Sequence, residues 1–188
     1  MPESGLKRYF DIARPHLLAH RGLNQHESGI DENSIAAFEQ ALKFGATHIE
    51  SDVHATKDGI AVLFHDDDLE RVAGLSLKIS ELTFAELSEI KLAHGSKVPS
   101  LKEVLEHFPS LRLNLDVKAE AGCVATAAVI NEFKAFDRVL VSSFSRSRKM
   151  QTLRLLDAPV ATSASSTEVL GLWITHKLFG LGFGLIAK

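Results

Sequence analysis

The stretch Leu111-Arg112-Leu113-Asn114-Leu115-Asp116-Val117-Lys118 alternates apolar and polar side chains without a break. In an extended chain this puts the three leucines and Val117 on one face and Arg112, Asn114, Asp116 and Lys118 on the other. Thr47 to His54 repeats the pattern, with His48, Glu50, Asp52 and His54 sharing a face and Ile49, Ser51 and Val53 between them. An isolated segment of this kind would read as the wetted side of an antiparallel strand. The surrounding sequence argues against that here.

Working outward, short apolar runs alternate with longer helical patterns, the order that gives parallel strands joined by helical crossovers. Strands are expected at His16 to Gly22, Thr47 to His54, Ile60 to His65, Leu111 to Lys118, Arg138 to Phe144 and Pro159 to Ser163. Between the first two, Glu32 to Phe44 carries an apolar stripe of Ile35, Phe38, Ala41 and Leu42, with Asn33 or Ser34 to cap it and Gly45 to end it. Thr83 with Glu86 fits a capping box, and Ser100 to Phe108, Cys123 to Phe136, Arg146 to Leu156 and Thr167 to Phe179 are helical by spacing. Both an open doubly wound sheet and a closed (β/α) barrel fit this order. In either, both faces of a parallel strand are covered, so charged residues inside strands are costly unless they build a site.

Composition sets the frame for that site. The 188 residues are 45% hydrophobic with no repeat and no linker rich in proline, glycine or serine, so residues 1–188 are expected to form a single domain. A net charge of -3 offers no general attraction for nucleic acid or anionic membrane, and an anionic substrate would need a few placed cations. The lone Cys123 excludes an internal disulfide. Met1 to Arg14 lacks the apolar core of a secretory leader, which makes the cytoplasm the expected location, and Val169 to Ala187 is interrupted at Thr175 to Lys177, short of a membrane span.

The chemistry-bearing residues gather at strand ends. Glu50 and Asp52 share a face about 6.6 Å apart, close enough for their carboxylates to converge on one hard cation. His20 closes the first strand and His65 the third, where a barrel enzyme keeps its catalysts. Two histidines, two or three carboxylates and a divalent ion suit phosphodiester cleavage: the ion neutralises phosphate charge, one imidazole takes a proton from the nucleophile and the other protonates the leaving alkoxide. Arg21 and Lys118 complete the anion pocket.

Taken together, several strings resemble the glycerophosphodiester phosphodiesterase family: Ala19-His20-Arg21-Gly22, the run from Glu32 to Phe38, Gly45 to Val53, Thr56 to Gly59, His65-Asp66, Arg71, Val98 to Leu105, and Asp116-Val117-Lys118. The resemblance implies an α/β fold of the TIM (β/α) barrel type and metal-dependent hydrolysis of a small glycerophosphodiester to an alcohol and sn-glycerol 3-phosphate. It implies His20 and His65 as the acid-base pair, Glu50, Asp52 and Asp116 as ligands of calcium or magnesium, and Arg21 and Lys118 as substrate-binding residues. Asp116 stands where the family commonly has glutamate, a substitution that leans slightly toward a lysophospholipase D or sphingomyelinase D type of phosphodiesterase, while Asn33 and the Thr56 to Gly59 string favour the first family. Ser143-Phe144 matches a pair at the end of the fifth strand, Asn33 is expected to be structural, and Trp173 and His176 are expected to be packing and surface residues.

The family's two closing strand segments are absent from this sequence, so about six of eight barrel strands are expected, a C-terminally incomplete barrel. An open edge with the apolar tail from Leu178 to Ala187 predicts poor solubility, or a partner or self-association to cover it. A truncated, inactive family member is the competing expectation.

Overall fold

The computed structural model describes residues 8–22 and 29–179. The tail expected to be apolar lies, from Gly180 onward, outside the described residues, as do Met1 to Lys7.

Six strands form the main sheet: β1 (Leu18–His20), β2 (His48–Ala55), β3 (Ala61–Leu63), β6 (Arg112–Val117), β7 (Val139–Ser142) and β8 (Ala161–Thr162). The order β1-β2-β6-β7-β8 is parallel throughout, which is the expected (β/α) progression. The third strand departs from expectation. β3 runs antiparallel to β2, pairing Val53 with Leu63 and Ala55 with Ala61. Only the turn Thr56 to Ile60 joins them, too short for a parallel crossover, which takes a dozen or more residues. Thr56 Oγ1 donates to Asp58 Oδ1 at 2.5 Å, and Asp58 Oδ1 also accepts from Phe84 N at 3.0 Å, so Asp58 braces this turn.

Val53 pairs with Val117 of β6 as well as with Leu63, so β3 lies on the edge of β2 opposite β6, the edge that β1 uses lower down. β1 ends level with Glu50, where Arg21 N donates to Glu50 O at 2.9 Å, and β3 ends level with Asp52, where Phe64 N donates to Asp52 O at 3.0 Å. Two strands of opposite direction therefore finish facing each other along one edge of β2. His20 and His65 sit at these two facing ends.

The helices follow the capping signals. Ser34 caps α1 (Ile35–Lys43), its Oγ accepting from Ala37 N at 3.1 Å. Asn33, at φ 55°, instead accepts from Ser51 Oγ at 2.7 Å through its own Oδ1, tying the helix start to β2 and supporting its structural reading. After β3 the chain makes an excursion that sequence periodicity does not reveal: β4 (Asp68–Leu69), α2 (Glu70–Ala73) and β5 (Leu75–Lys78), with β4 and β5 paired as a separate two-stranded sheet. Thr83–Glu86 and Ser100–Glu103 both form complete capping boxes, opening α3 (Phe84–Glu89) and α4 (Leu101–His107). α5 (Glu120–Glu132), α6 (Arg146–Arg154) and α7 (Ser166–Phe179) follow β6, β7 and β8 in turn.

The main core joins the apolar faces of β2 and β6 (Ile49, Val53, Leu113, Leu115, Val117) to Phe38 and Ala41 of α1 and to α4 and α5. A second core, built on Val62, Phe64, Leu69, Ile79 and Leu87, supports the excursion and with it the end of β3. Gly22 shows how tight the β1 exit is. It has φ +80°, and a Cβ there would stand 2.7 Å from the Phe38 ring and 2.8 Å from Ala37 Cβ, so only glycine lets the chain turn against α1.

Candidate active site

β2 and β6 are in register so that Asp52 lies beside Asp116 and Glu50 beside Asn114. The polar faces predicted from alternation thus meet at the C-terminal ends of adjacent parallel strands. Both aspartates are buried, and Lys118 bridges them, its Nζ 2.8 Å from Asp52 Oδ1 and 2.7 Å from Asp116 Oδ2. Burial alone would lower the Lys118 ammonium; its hydrogen bonds to Asp116 and Asp52 outweigh that and hold its pKa above the usual lysine value.

The remaining oxygens of the pair are unmet. Asp52 Oδ2 and Asp116 Oδ1 are buried without a hydrogen-bond partner, and Arg21 Nε, 3.5 Å from Asp52 Oδ2, is misaligned for a hydrogen bond. Glu50 adds to the surplus of negative charge. Its carboxyl is pushed up to about 7, first by burial and next by the neighbouring charge of Asp52. Orphaned carboxylate oxygens and a carboxyl resisting ionisation are what a site short of positive charge looks like, so these residues fit a hard divalent cation. Among the described residues, no group of three or more acids, histidines or cysteines is yet gathered in metal-holding geometry. The Lys118 ammonium stands between the two aspartates instead.

His20 is exposed, and its Nε2 lies 3.7 Å from Glu50 Oε2. His65 approaches from the facing strand end and is held differently, with Nδ1 2.7 Å from Asp66 Oδ1. Asp66 Oδ2 accepts from Arg71 Nε at 2.7 Å, Arg71 also donates through Nη2 to the buried Glu32, and Glu32 accepts from Arg21 Nη1 at 3.2 Å. A continuous chain of ion pairs therefore runs from His65 through Asp66, Arg71 and Glu32 to Arg21. Hydrogen bonding to His65 and to Arg71 outweighs burial and keeps the Asp66 carboxyl below its ordinary value. Sequence reading missed the roles of Glu32, Asp66 and Arg71. They fall inside the family-like strings, but nothing in the spacing says that they meet.

Glu50, Asn114, Asp116, Ser142, Ser143 and Phe144 line a cleft of about 660 Å³. Ser163, Ala164 and, from α7, Ser166, Val169, Leu170 and Trp173 complete its lining. Trp173 is an exposed residue, as a surface role would have it, and it lines this cleft. No described helix is long and apolar enough to cross a membrane.

Comparison with known proteins agrees with this geometry. A profile of the glycerophosphoryl diester phosphodiesterase family matches residues 20–166. A curated relative, probable glycerophosphodiester phosphodiesterase 2 of Mycobacterium tuberculosis, is 38% identical over 163 residues, covering 87% of this chain and 61% of that protein. A glycerophosphodiester phosphodiesterase of Caldanaerobacter subterraneus is 31% identical over 144 residues, covering 69% of this chain and 58% of the other. The chain thus spans about three fifths of the length of these relatives.

Among solved structures, a glycerophosphoryl diester phosphodiesterase domain from Mycobacterium tuberculosis superposes with a TM-score of 0.77 at 19% identity, covering 92% of this chain and 68% of that one, a likeness of fold. A phosphodiesterase of Oleispira antarctica, in complex with the product sn-glycerol-3-phosphate, matches at 28% identity with a TM-score of 0.67, covering 79% of this chain and 64% of the other. The fold is thus of the TIM-barrel type, represented among the described residues by an open sheet of six strands.

Proposed function

Because this chain belongs to the glycerophosphoryl diester phosphodiesterase family, we propose that its strand-end cleft hydrolyses glycerophosphodiesters to an alcohol and sn-glycerol 3-phosphate. The observation that carries this reading is the pairing of Asp52 with Asp116, buried and short of partners, between His20 and His65 on facing strand ends.

In this reading Glu50, Asp52 and Asp116 hold a divalent cation, calcium or magnesium. The bound ion supplies charge neutralisation for the phosphate oxygens. His20 and His65 divide the proton transfers: one imidazole accepts the proton of the attacking hydroxyl and the other delivers a proton to the departing alcohol oxygen as the P–O bond breaks. Net, one water is consumed, its oxygen bonded to phosphorus. The Nδ1 contact with Asp66 fixes the His65 ring and leaves Nε2 as the atom that handles the proton. Arg21 and Lys118 bring positive charge to the phosphate, and Lys118 also keeps Asp52 and Asp116 aligned.

The same reading places the enzyme in the cytoplasm, and the single buried thiol of Cys123 is compatible with that compartment. Self-association covering the open edges is part of it, because β1 and β8 each pair on one side only among the described strands.

The test is turnover of glycerophosphocholine by the purified chain, with calcium or magnesium and then with excess chelator. Release of choline that stops on chelation and falls at least a hundredfold in His65→Ala supports the reading. A folded, metal-loaded protein without turnover refutes it.

A further inference from the structure

We infer that His54 is a positioning residue for His65, its imidazole holding the main chain of the strand end from which His65 handles a proton. This rests on the reading of His65 as an acid-base group, and deepens it by naming a residue on which that group depends.

His54 is the fourth polar residue of the face that carries His48, Glu50 and Asp52. It is buried, at 4% exposure, opposite Val62 of β3 in the antiparallel pairing. Burying an imidazole costs free energy unless it is hydrogen-bonded, so for packing alone an aliphatic side chain would serve better here. The bond that compensates goes to His65. His54 Nε2 lies 3.2 Å from the His65 carbonyl oxygen. A carbonyl only accepts, so Nε2 carries the proton and donates it. Nδ1 faces the exposed Asp67 at 3.9 Å from Oδ1, beyond hydrogen-bond distance.

The bond falls where the sheet ceases to hold the chain. β3 ends at Leu63, and Phe64 N then donates to Asp52 O at 3.0 Å. Among the described residues, no main-chain N–H donates to the next carbonyl, that of His65. His54 supplies the missing donor from its side chain. His65 is therefore held twice, its ring by Asp66 at 2.7 Å from Nδ1 and its peptide by His54. Asp66 fixes the ring only relative to its own neighbour in sequence. His54 ties that neighbour pair to β2, the strand that carries Glu50 and Asp52.

β2 is itself a firm support at this level. A Cβ on Gly122 of α5 would stand 3.3 Å from Val53 O, so the helix lies directly against the strand. The position of the His65 imidazole relative to the acidic groups is thus set through one packed strand.

The test compares the full chain with His54→Leu, which keeps bulk and removes the donor, and with His54→Gln, whose amide can donate to the same oxygen. On glycerophosphocholine with saturating calcium, kcat should fall about tenfold in His54→Leu with KM within about twofold, less than the roughly hundredfold that a displacement of ~1 Å can cause. His54→Gln should recover most of the loss. Nitrogen-15 NMR of the histidine rings reads the geometry without turnover. Wild-type His54 should be the Nε2–H tautomer. The His65 ring should be a single Nδ1–H tautomer in wild type and should average between tautomers in His54→Leu, as its pairing with Asp66 loosens.

An Nδ1–H tautomer at wild-type His54 overturns the inference even where neither variant folds. So does a folded His54→Leu with wild-type kcat or an unchanged His65 ring, a loss confined to KM, or an equal loss of kcat in both variants. A wild-type chain without turnover refutes the phosphodiesterase reading instead, and the ring spectra still decide whether His54 places His65.

Discussion

Asp52 and Asp116 are register partners on adjacent parallel strands, and one ammonium, that of Lys118, contacts both at 2.8 and 2.7 Å. Two buried carboxylates side by side repel unless a cation lies between them, and the lysine supplies it here. Lys118→Met should therefore destabilise the metal-free protein by about 2 kcal/mol, below the range for breaking a fully buried pair because Lys118 is partly exposed. Saturating calcium or magnesium should restore much of that loss. Thermal unfolding with and without chelator checks it, and an equal loss under both conditions would count against the shared cation site.

The ion-pair chain from His65 to Glu32 makes a separate prediction. Asp66 fixes His65 Nδ1, and Arg71 fixes Asp66 while also reaching Glu32. Asp66→Asn should lower kcat by about a hundredfold with KM changed little, the pattern expected when a general acid or base loses its orienting partner. Arg71→Ala should act in the same direction and more weakly, with partial rescue in Arg71→Lys. Steady-state kinetics on glycerophosphocholine separate these effects. A change confined to KM would assign the chain to substrate binding.

Much of this site was legible because a strand has a period of two. Alternation alone puts Glu50 with Asp52 and Asn114 with Asp116, and the capping box at Thr83 follows from local hydrogen-bond chemistry, as does a cap at Asn33 or Ser34, of which Ser34 is the one used. The direction of β3 was not read, although the signal was present: the five residues from Thr56 to Ile60 cannot carry a parallel crossover. His65 thus follows a strand end that faces the end of β1 along β2, not one that stands beside it in a parallel array. The contact between Glu32 and Arg71 spans 39 positions and depends on the β4–β5 excursion, so no periodicity encodes it. The cleft that Trp173 lines draws on Ser142 of β7 and on Ser163 and Ala164 after β8, a grouping that a helical pattern cannot show.

Gly22 offers a test of how the first strand end is positioned. Gly22→Ala would force a side chain into the left-handed region and within 2.7 Å of Phe38. The expected cost is about 2 kcal/mol, combining backbone strain with overpacking. Because Gly22 follows His20 and Arg21, activity should fall further than stability alone explains. Urea unfolding beside kcat/KM at a temperature where the variant is fully folded measures both. An unchanged midpoint would show that the turn relaxes freely.

At the opposite end of the sheet, His48 lies buried beneath Tyr9, Phe10 and His16, with ring centroids 4.9, 5.6 and 5.4 Å away. Burial lowers its pKa below the ordinary 6.5, partly offset by the Tyr9 carbonyl 3.4 Å from Nε2. The unfolded chain thus takes up a proton at a higher pH than the folded one does. The stability associated with neutral His48 is complete above 6.5 and is lost as pH falls through the lower folded value. Glu50 has the opposite sign in the metal-free protein: its carboxyl is raised from 4.5 to about 7, so its contribution is complete below 4.5 and is lost as pH rises through about 7. The difference between wild type and His48→Gln cancels the Glu50 contribution and isolates the histidine. Between pH 8 and 5, the wild-type urea midpoint should drop more steeply than that of His48→Gln. Parallel profiles would mean that His48 stays neutral in both states or is exposed in solution.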